Sequence, residues 1–144
     1  MNNNEKLAVL EEILCRAAEQ LGDITPIVLE RFFARSPGSK ALFDHHGGQN
    51  SKRVQADMVE SVLYCLMVWF ERRTEIEIMF GHTVPHHEML NISPDDFAGL
   101  LASTMEVIEQ TIPASNTTQQ AVWAELKTDL LALVSSSSLA ELGI

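Results

Sequence analysis

The sequence predicts an all-α domain, and three features carry that expectation. Apolar residues recur at three- and four-residue intervals along nearly the whole chain, the period of an amphipathic helix. The alternation that a half-buried strand needs is not found. Breaks between the apolar runs hold residues that start and stop helices, most clearly Ser93-Pro94-Asp95-Asp96. A length of 144 residues suits one domain, 1–144, around one core.

The elements follow in order. Leu7, Leu10, Leu14, Ala17, Ala18 and Leu21 share one face of the first helix. Gly22 and Asp23 punctuate it, and Asp23 suits the cap of the next. That second helix, Ile24 to Arg35, is apolar around much of its girth (Ile24, Ile27, Val28, Leu29, Phe32, Phe33), as a helix central to a core would be. Ser36-Pro37 opens a short helical turn that ends at Phe43. Paired glycines and polar residues make DHHGGQN, 44–50, a loop with His45 and His46 solvated. A long helix is expected from Ser51 to Glu71, striped by Val59, Val62, Leu66 and Trp69 and flanked by Met58 and Phe70.

From Thr74 to Asn91 the pattern is interrupted. Gly81 suits the end of one short helix and Pro85 the first turn of another. Ser93 then caps a helix with proline at its first position and acids in its first turn, bearing Phe97, Leu100, Leu101, Thr104, Val107 and Ile108. Ile112 to Gln119 reads as a turn-rich connection. A last helix runs from Gln120 to Val134 with Val122, Trp123, Leu126, Leu130 and Leu133 inward, and the run Ser135–Ser138 frays it into a mobile tail.

Composition excludes several function classes. Ten basic residues against twenty acidic ones leave a net charge of −10, which opposes binding to nucleic acid and to anionic lipid. The same charge favours a soluble monomer or homodimer. No apolar run is long enough to span a bilayer, and MNNNEKLAVLEE lacks the basic head and apolar stretch of a secretory signal. Cys15 and Cys65 are too few for a disulfide framework, lie among apolar neighbours and are expected to be buried thiols. These features together imply the cytoplasm.

Two polar residues break the apolar rule. Winding the long helix at about 100° per residue puts Gln55 at the centre of the Val59–Val62–Leu66 stripe. A buried amide without a partner costs roughly 1–3 kcal/mol. Near the start of its helix it can reach water or a backbone group; alternatively it faces something that needs a donor. His87, between Pro85 and Leu90, is open to the same two readings: a hydrogen-bonded structural imidazole, or a ligand. The two together suggest facing sides of a slot that a flat cofactor could fill.

At this point the chain resembles the globin family, in particular single-domain bacterial haemoglobins and the haem domain of flavohaemoglobins. FFARSPGSKALF, 32–43, is similar to the family's F-x3-P-x5-F segment, and HEMLNISPDDF, 87–97, to its run from the proximal histidine to the next helix. Gln55 lies thirty-two residues before His87, which suits the distal position, and the dipeptide Val122-Trp123 resembles one common in the family's last helix. The resemblance implies a globin-like three-over-three helical sandwich around haem b. It implies His87 as the axial ligand to iron, its second ring nitrogen fixed by a carbonyl of Thr83 or Val84. It also implies Phe43 stacked on the porphyrin, Leu29 and Val59 on the distal wall, and Ile92, Phe97 and Leu100 on the proximal wall. Gln55 would donate to bound dioxygen, with Ser51 as its rival and a loop histidine, His45 or His46, as a possible sixth ligand.

The implied function is reversible binding of oxygen, nitric oxide or carbon monoxide, as carrier, scavenger or sensor. Two alternatives stand beside it: a haem-free globin-fold module for interaction or stress signalling, and a nitric oxide-consuming or peroxidase-like haem protein served by a separate reductase. Leu29 stands where the bacterial relatives usually have tyrosine, and Phe97 where they usually have another, which counts against the enzymatic alternative. His82 and His86 have a zinc-compatible spacing, but Gly81 and Pro85 interrupt the helix that would hold them and no cysteine or carboxylate pair completes the site. No phosphate loop, nucleophilic triad or paired carboxylate in an apolar setting is found.

Overall fold

A computed structural model describes residues 1–141. Seven α-helices, one 3-10 turn at Gly48–Asn50 and no strand occur among the described residues. The helices are α1 (Asn3–Leu21), α2 (Thr25–Arg35), α3 (Ser39–Gly47), α4 (Ser51–Val68), α5 (Arg73–Met89), α6 (Pro94–Glu109) and α7 (Thr117–Ser136). Packing of α1 on α6 and α7, α4 on α2 and α6, and α5 on α6 and α7 makes two layers of three, α1/α4/α5 over α2/α6/α7. This is the all-α, three-over-three globin arrangement.

Local chemistry sets most of the ends. Asn2 accepts from the Glu5 N–H at 2.8 Å while the Glu5 carboxylate accepts from the Asn2 N–H, a reciprocal cap that starts α1. Ser93 Oγ accepts from the Asp96 N–H at 3.1 Å, as the start signal predicts. Asn116 does the same for α7, accepting from the Gln119 N–H, so the last helix begins three residues before the expected Gln120. The closest helix pair is α2 crossing α6. A Cβ on Gly99 would lie 3.3 Å from the Phe32 ring, so glycine lets the two backbones approach.

Several expectations are corrected. The segment 44–50 is not a loop: α3 continues to Gly47 and a 3-10 turn leads into α4. The broken region 74–91 is a single helix. Ile76, Phe80 and Val84 recur every fourth residue and are all buried, and this stripe carries α5 through Gly81 and Pro85 despite the N–H that proline lacks. Only Val28 and Phe32 are buried within α2, and Ile27 is exposed, so that helix is one-sided. In α1 the buried set is Val9, Leu10, Ile13 and Ala17, a face turned from the one expected. Cys15 is exposed, because it lies opposite that face; Cys65 is buried. The serine run is not frayed either: Ser137 and Ser138 are buried, and the Leu139 N–H donates to Glu88 Oε1 at 2.8 Å. The rest of the expected mobile tail, 142–144, lies outside the described residues.

Candidate functional site

The site grows from the way α5 ends. Asn91 takes a positive φ of 65°, a conformation asparagine tolerates better than most residues, and the Ile92 N–H turns back to the His87 carbonyl at 2.9 Å. This closure stops α5 just after His87 and delivers Ile92 beside it. His87 Nδ1 donates to the Thr83 carbonyl at 2.7 Å, which fixes the ring and its tautomer. Phe97, at the start of α6, stands edge-on to the imidazole with centroids 5.2 Å apart, and Phe80 stands edge-on to Phe97 at 5.4 Å. Burial pushes the His87 pKa below its ordinary value; the bond to Thr83 opposes this, and His86 and His46 add to it. The ring is therefore neutral at pH 7, with a lone pair available on Nε2.

His87 opens on a cavity of about 360 Å³, within the range of roughly 300–1,000 Å³ typical of small-molecule and cofactor pockets. α4 and α5 do not pack side by side, and the cavity lies between them. Near their junction the gap is bridged by the Tyr64 hydroxyl donating to Glu75 at 2.6 Å and by Cys65 Sγ against Met79 Sδ at 3.9 Å. The α4 wall is Val54, Met58, Ser61, Val62 and Cys65, and the α5 wall runs from Met79 and Phe80 to His86 and His87. Ile92, Phe97, Leu100 and Leu101 continue it on the α6 side, and Ser39, Leu42 and Phe43 close it from α3.

Of the residues singled out in the sequence, Phe43, His87, Ile92, Phe97 and Leu100 come together on this cavity. Leu29, Gln55 and Val59 do not reach its wall. Leu29 packs half-buried against the core, and Val59 is wholly buried within it. Gln55 is buried at 8% exposure and its amide donates to Ser51 Oγ at 3.1 Å; Ser51 in turn donates to Asp44 at 2.7 Å. Gln55 and Ser51 thus satisfy each other at the start of α4, so the amide is locally bonded, to a side chain instead of the expected water or backbone group, and α4 is rotated so that the neighbouring column faces the cavity. His45 is off the wall, whereas exposed His46 sits at the rim with Nε2 donating to the Leu90 carbonyl at 3.0 Å, tying α3 to the end of α5. Exposed His86 is the second rim imidazole.

Sequence reasoning missed the wall residues Val54, Met58, Ser61, Cys65 and Ser39. The α4 column could be found only by knowing which of two adjacent apolar stripes faces α5. Ser39 offered no signal: it is a 4%-exposed serine whose Oγ lacks any hydrogen-bond partner and lines the cavity.

Fold and site together define an all-α protein with a largely apolar cavity onto which one neutral imidazole opens. Residues 27–132, well over half the chain, match the Globin family model, and the chain belongs to the globin family, a family of haem proteins that bind diatomic gases. No curated protein and no solved structure matches it. Among the described residues no helix is long and apolar enough to cross a membrane.

The residues fit a haem. The donor set is one neutral imidazole with Nε2 free of any bond among the described residues, in a pocket whose remaining wall is mostly apolar. Phe43 stands at the α3 end, edge-on to Phe32 and Phe33 with centroids 6.5 and 6.1 Å away, so it is braced from behind. The unpartnered Ser39 hydroxyl is explained if a bound group meets it.

Proposed function

We propose that this globin binds haem b in the α4–α5 cavity with His87 Nε2 as the axial ligand, and that its function is reversible binding of a diatomic gas as carrier, scavenger or sensor. The observation that carries this reading is the 2.7 Å bond from His87 Nδ1 to the Thr83 carbonyl. It places the proton on Nδ1, leaves Nε2 as the donor atom and raises that atom's basicity. Haem, when bound, supplies an iron with an open coordination position for the gas. The chain's own residues do the rest. Phe97 and Ile92 hold the imidazole in place, Phe43 and Leu100 would line the space that the cofactor takes, and the apolar wall would keep water out. His86, at the rim, would supply an N–H donor for the cofactor's carboxylates.

Added hemin should turn the purified chain red with a Soret band at one equivalent, and His87→Ala should lose that band on gel filtration while keeping its helical circular dichroism. His82→Ala and His86→Ala should retain it. A wild-type chain that stays colourless would sink the proposal and leave the haem-free interaction module as the reading of this fold.

A further inference from the structure

We infer that the gas site discriminates against dioxygen in favour of carbon monoxide or nitric oxide, an inference that rests on haem being held by His87. It comes from the hydrogen-bond state of the α4 wall. Dioxygen at a ferrous haem draws electron density outward and is retained by a donor pointed at it; carbon monoxide stays nearly neutral and gains far less. One donor to such a charged acceptor is worth about ten- to a hundredfold in retention.

No side chain of the α4 wall has such a donor to give. Val54, Met58 and Val62 have none. The Ser61 hydroxyl already donates to the Asp57 carbonyl at 2.9 Å, and the Cys65 thiol, a weak donor, is turned on Met79. Gln55, the side chain that could have supplied one, is committed to Ser51 and lies off the wall. The conclusion does not depend on which wall residue stands nearest the iron, because Val54, Met58 and Val62 are alike in this respect. Two polar groups elsewhere on the wall bear on the point. His46 is held at the rim by the Leu90 carbonyl, and the free Ser39 hydroxyl is on α3, beside Phe43 rather than on α4.

The test uses the full chain loaded with hemin and reduced, with carbon monoxide and dioxygen as the probes. Release rates of both gases and the infrared stretch of bound carbon monoxide are measured. Gln55→Leu should leave dioxygen release within about threefold of wild type and the stretch unmoved, since that amide is bonded to Ser51 and lies off the wall. Met58→Gln should slow dioxygen release by about tenfold or more, lower the stretch, and leave carbon monoxide release within about threefold. Faster dioxygen release beyond that margin in Gln55→Leu or Ser39→Ala would overturn the inference, because a donor would then be present. So would a Met58→Gln protein identical to wild type on both readouts, since α4 would then not face the gas. A chain that takes up no hemin overturns the haem proposal and this inference together; one that takes it up and fails as above overturns only the inference.

Discussion

The two sides of this molecule are built from similar residues and end differently. Where α1 and α6 meet α7, Leu10, Ile13, Met105, Ile108, Trp123, Leu126 and Leu130 are fully buried and fill the space between helices. Where α3, α4 and α5 meet, Phe43, Met58, Met79 and Phe97 are only half-buried and surround about 360 Å³ of open volume. Helix spacing makes the difference, since α7 packs on both α1 and α6 while α4 and α5 stand apart. Polar groups differ only in part, since the buried Trp123 indole nitrogen on the solid side also lacks a partner. On the solid side Arg16 bonds Gln119 and the Thr111 carbonyl, and Gln119 reaches Glu12, so three charged or amide groups complete one another. On the hollow side His87 keeps one ring nitrogen free and Ser39 its hydroxyl. Apolar atoms that face a void forgo dispersion contacts on that side, so the hollow half gains most from a ligand that fills it.

Truncations on the two sides should therefore differ in cost. Trp123→Ala, at 0% exposure on the solid side, should destabilise the chain by about 3–5 kcal/mol and Leu126→Ala by about 2–5 kcal/mol. Val62→Ala and Met58→Ala, which extend a cavity already present, should cost under about 2 kcal/mol. Urea midpoints of the four variants measure this, and equal losses would remove the distinction. Hemin should then reverse the weakness of the hollow half. At about 100 to 1,000 times its dissociation constant a ligand of the folded state alone adds roughly 2.7–4.1 kcal/mol. That gain should vanish in His87→Ala and persist in Trp123→Ala, each compared with its own haem-free form.

The solid half was the more legible in sequence, for a physical reason. Ser93, the apolar run from Phe97 to Ile108, and Trp123, Leu126 and Leu130 are set by local capping and by helical period, and both act within a few residues. The hollow half depends on tertiary choices. Pro85 and Gly81 signal a break, but the buried stripe Ile76–Phe80–Val84 overrides them. Of the residues that the family resemblance singled out, His87, Phe43, Ile92, Phe97 and Leu100 were on the cavity wall, four of them because α5, its closure and the start of α6 bring neighbours in sequence together. Gln55, Val59 and Leu29 were not, because a helix with two adjacent apolar columns can present either, and only packing on α2 and α6 selects one. In α4 that selection leaves Gln55 off the wall, where it donates to Ser51 one turn away.

The two thiols sharpen the same contrast by reactivity. Cys15 is exposed on α1, whereas Cys65 is on the cavity wall, and burial pushes its thiol up to about 11. At neutral pH Cys65 thus carries on the order of a hundredfold less thiolate than an ordinary cysteine. A coloured thiol reagent should titrate one group per native chain quickly and the second only slowly, with both fast in urea. Two fast groups in the native chain would mean that the cavity admits the reagent and that its wall is looser than described.

The smallest expected effect lies at the α2–α6 contact, outside the cavity. Glu106 accepts from Arg35 at 2.7 Å and from Arg31 at 3.1 Å. Burial pushes its carboxyl up, but the bonds from Arg35 and Arg31 outweigh this and hold it below the ordinary range. A carboxyl that is more acidic folded than unfolded stabilises the fold fully above the ordinary carboxylate range, and that contribution is lost as pH falls through its folded value. Both arginines are part-exposed, so the pair should be worth under about 1 kcal/mol at neutral pH. Glu106→Gln should lower the urea midpoint slightly there and match wild type once the carboxyl is protonated. A deficit that persists in acid would show that the side chain acts by packing on Arg35 over Gly99, not by charge. The α2 crossing would then be held by shape and not by charge.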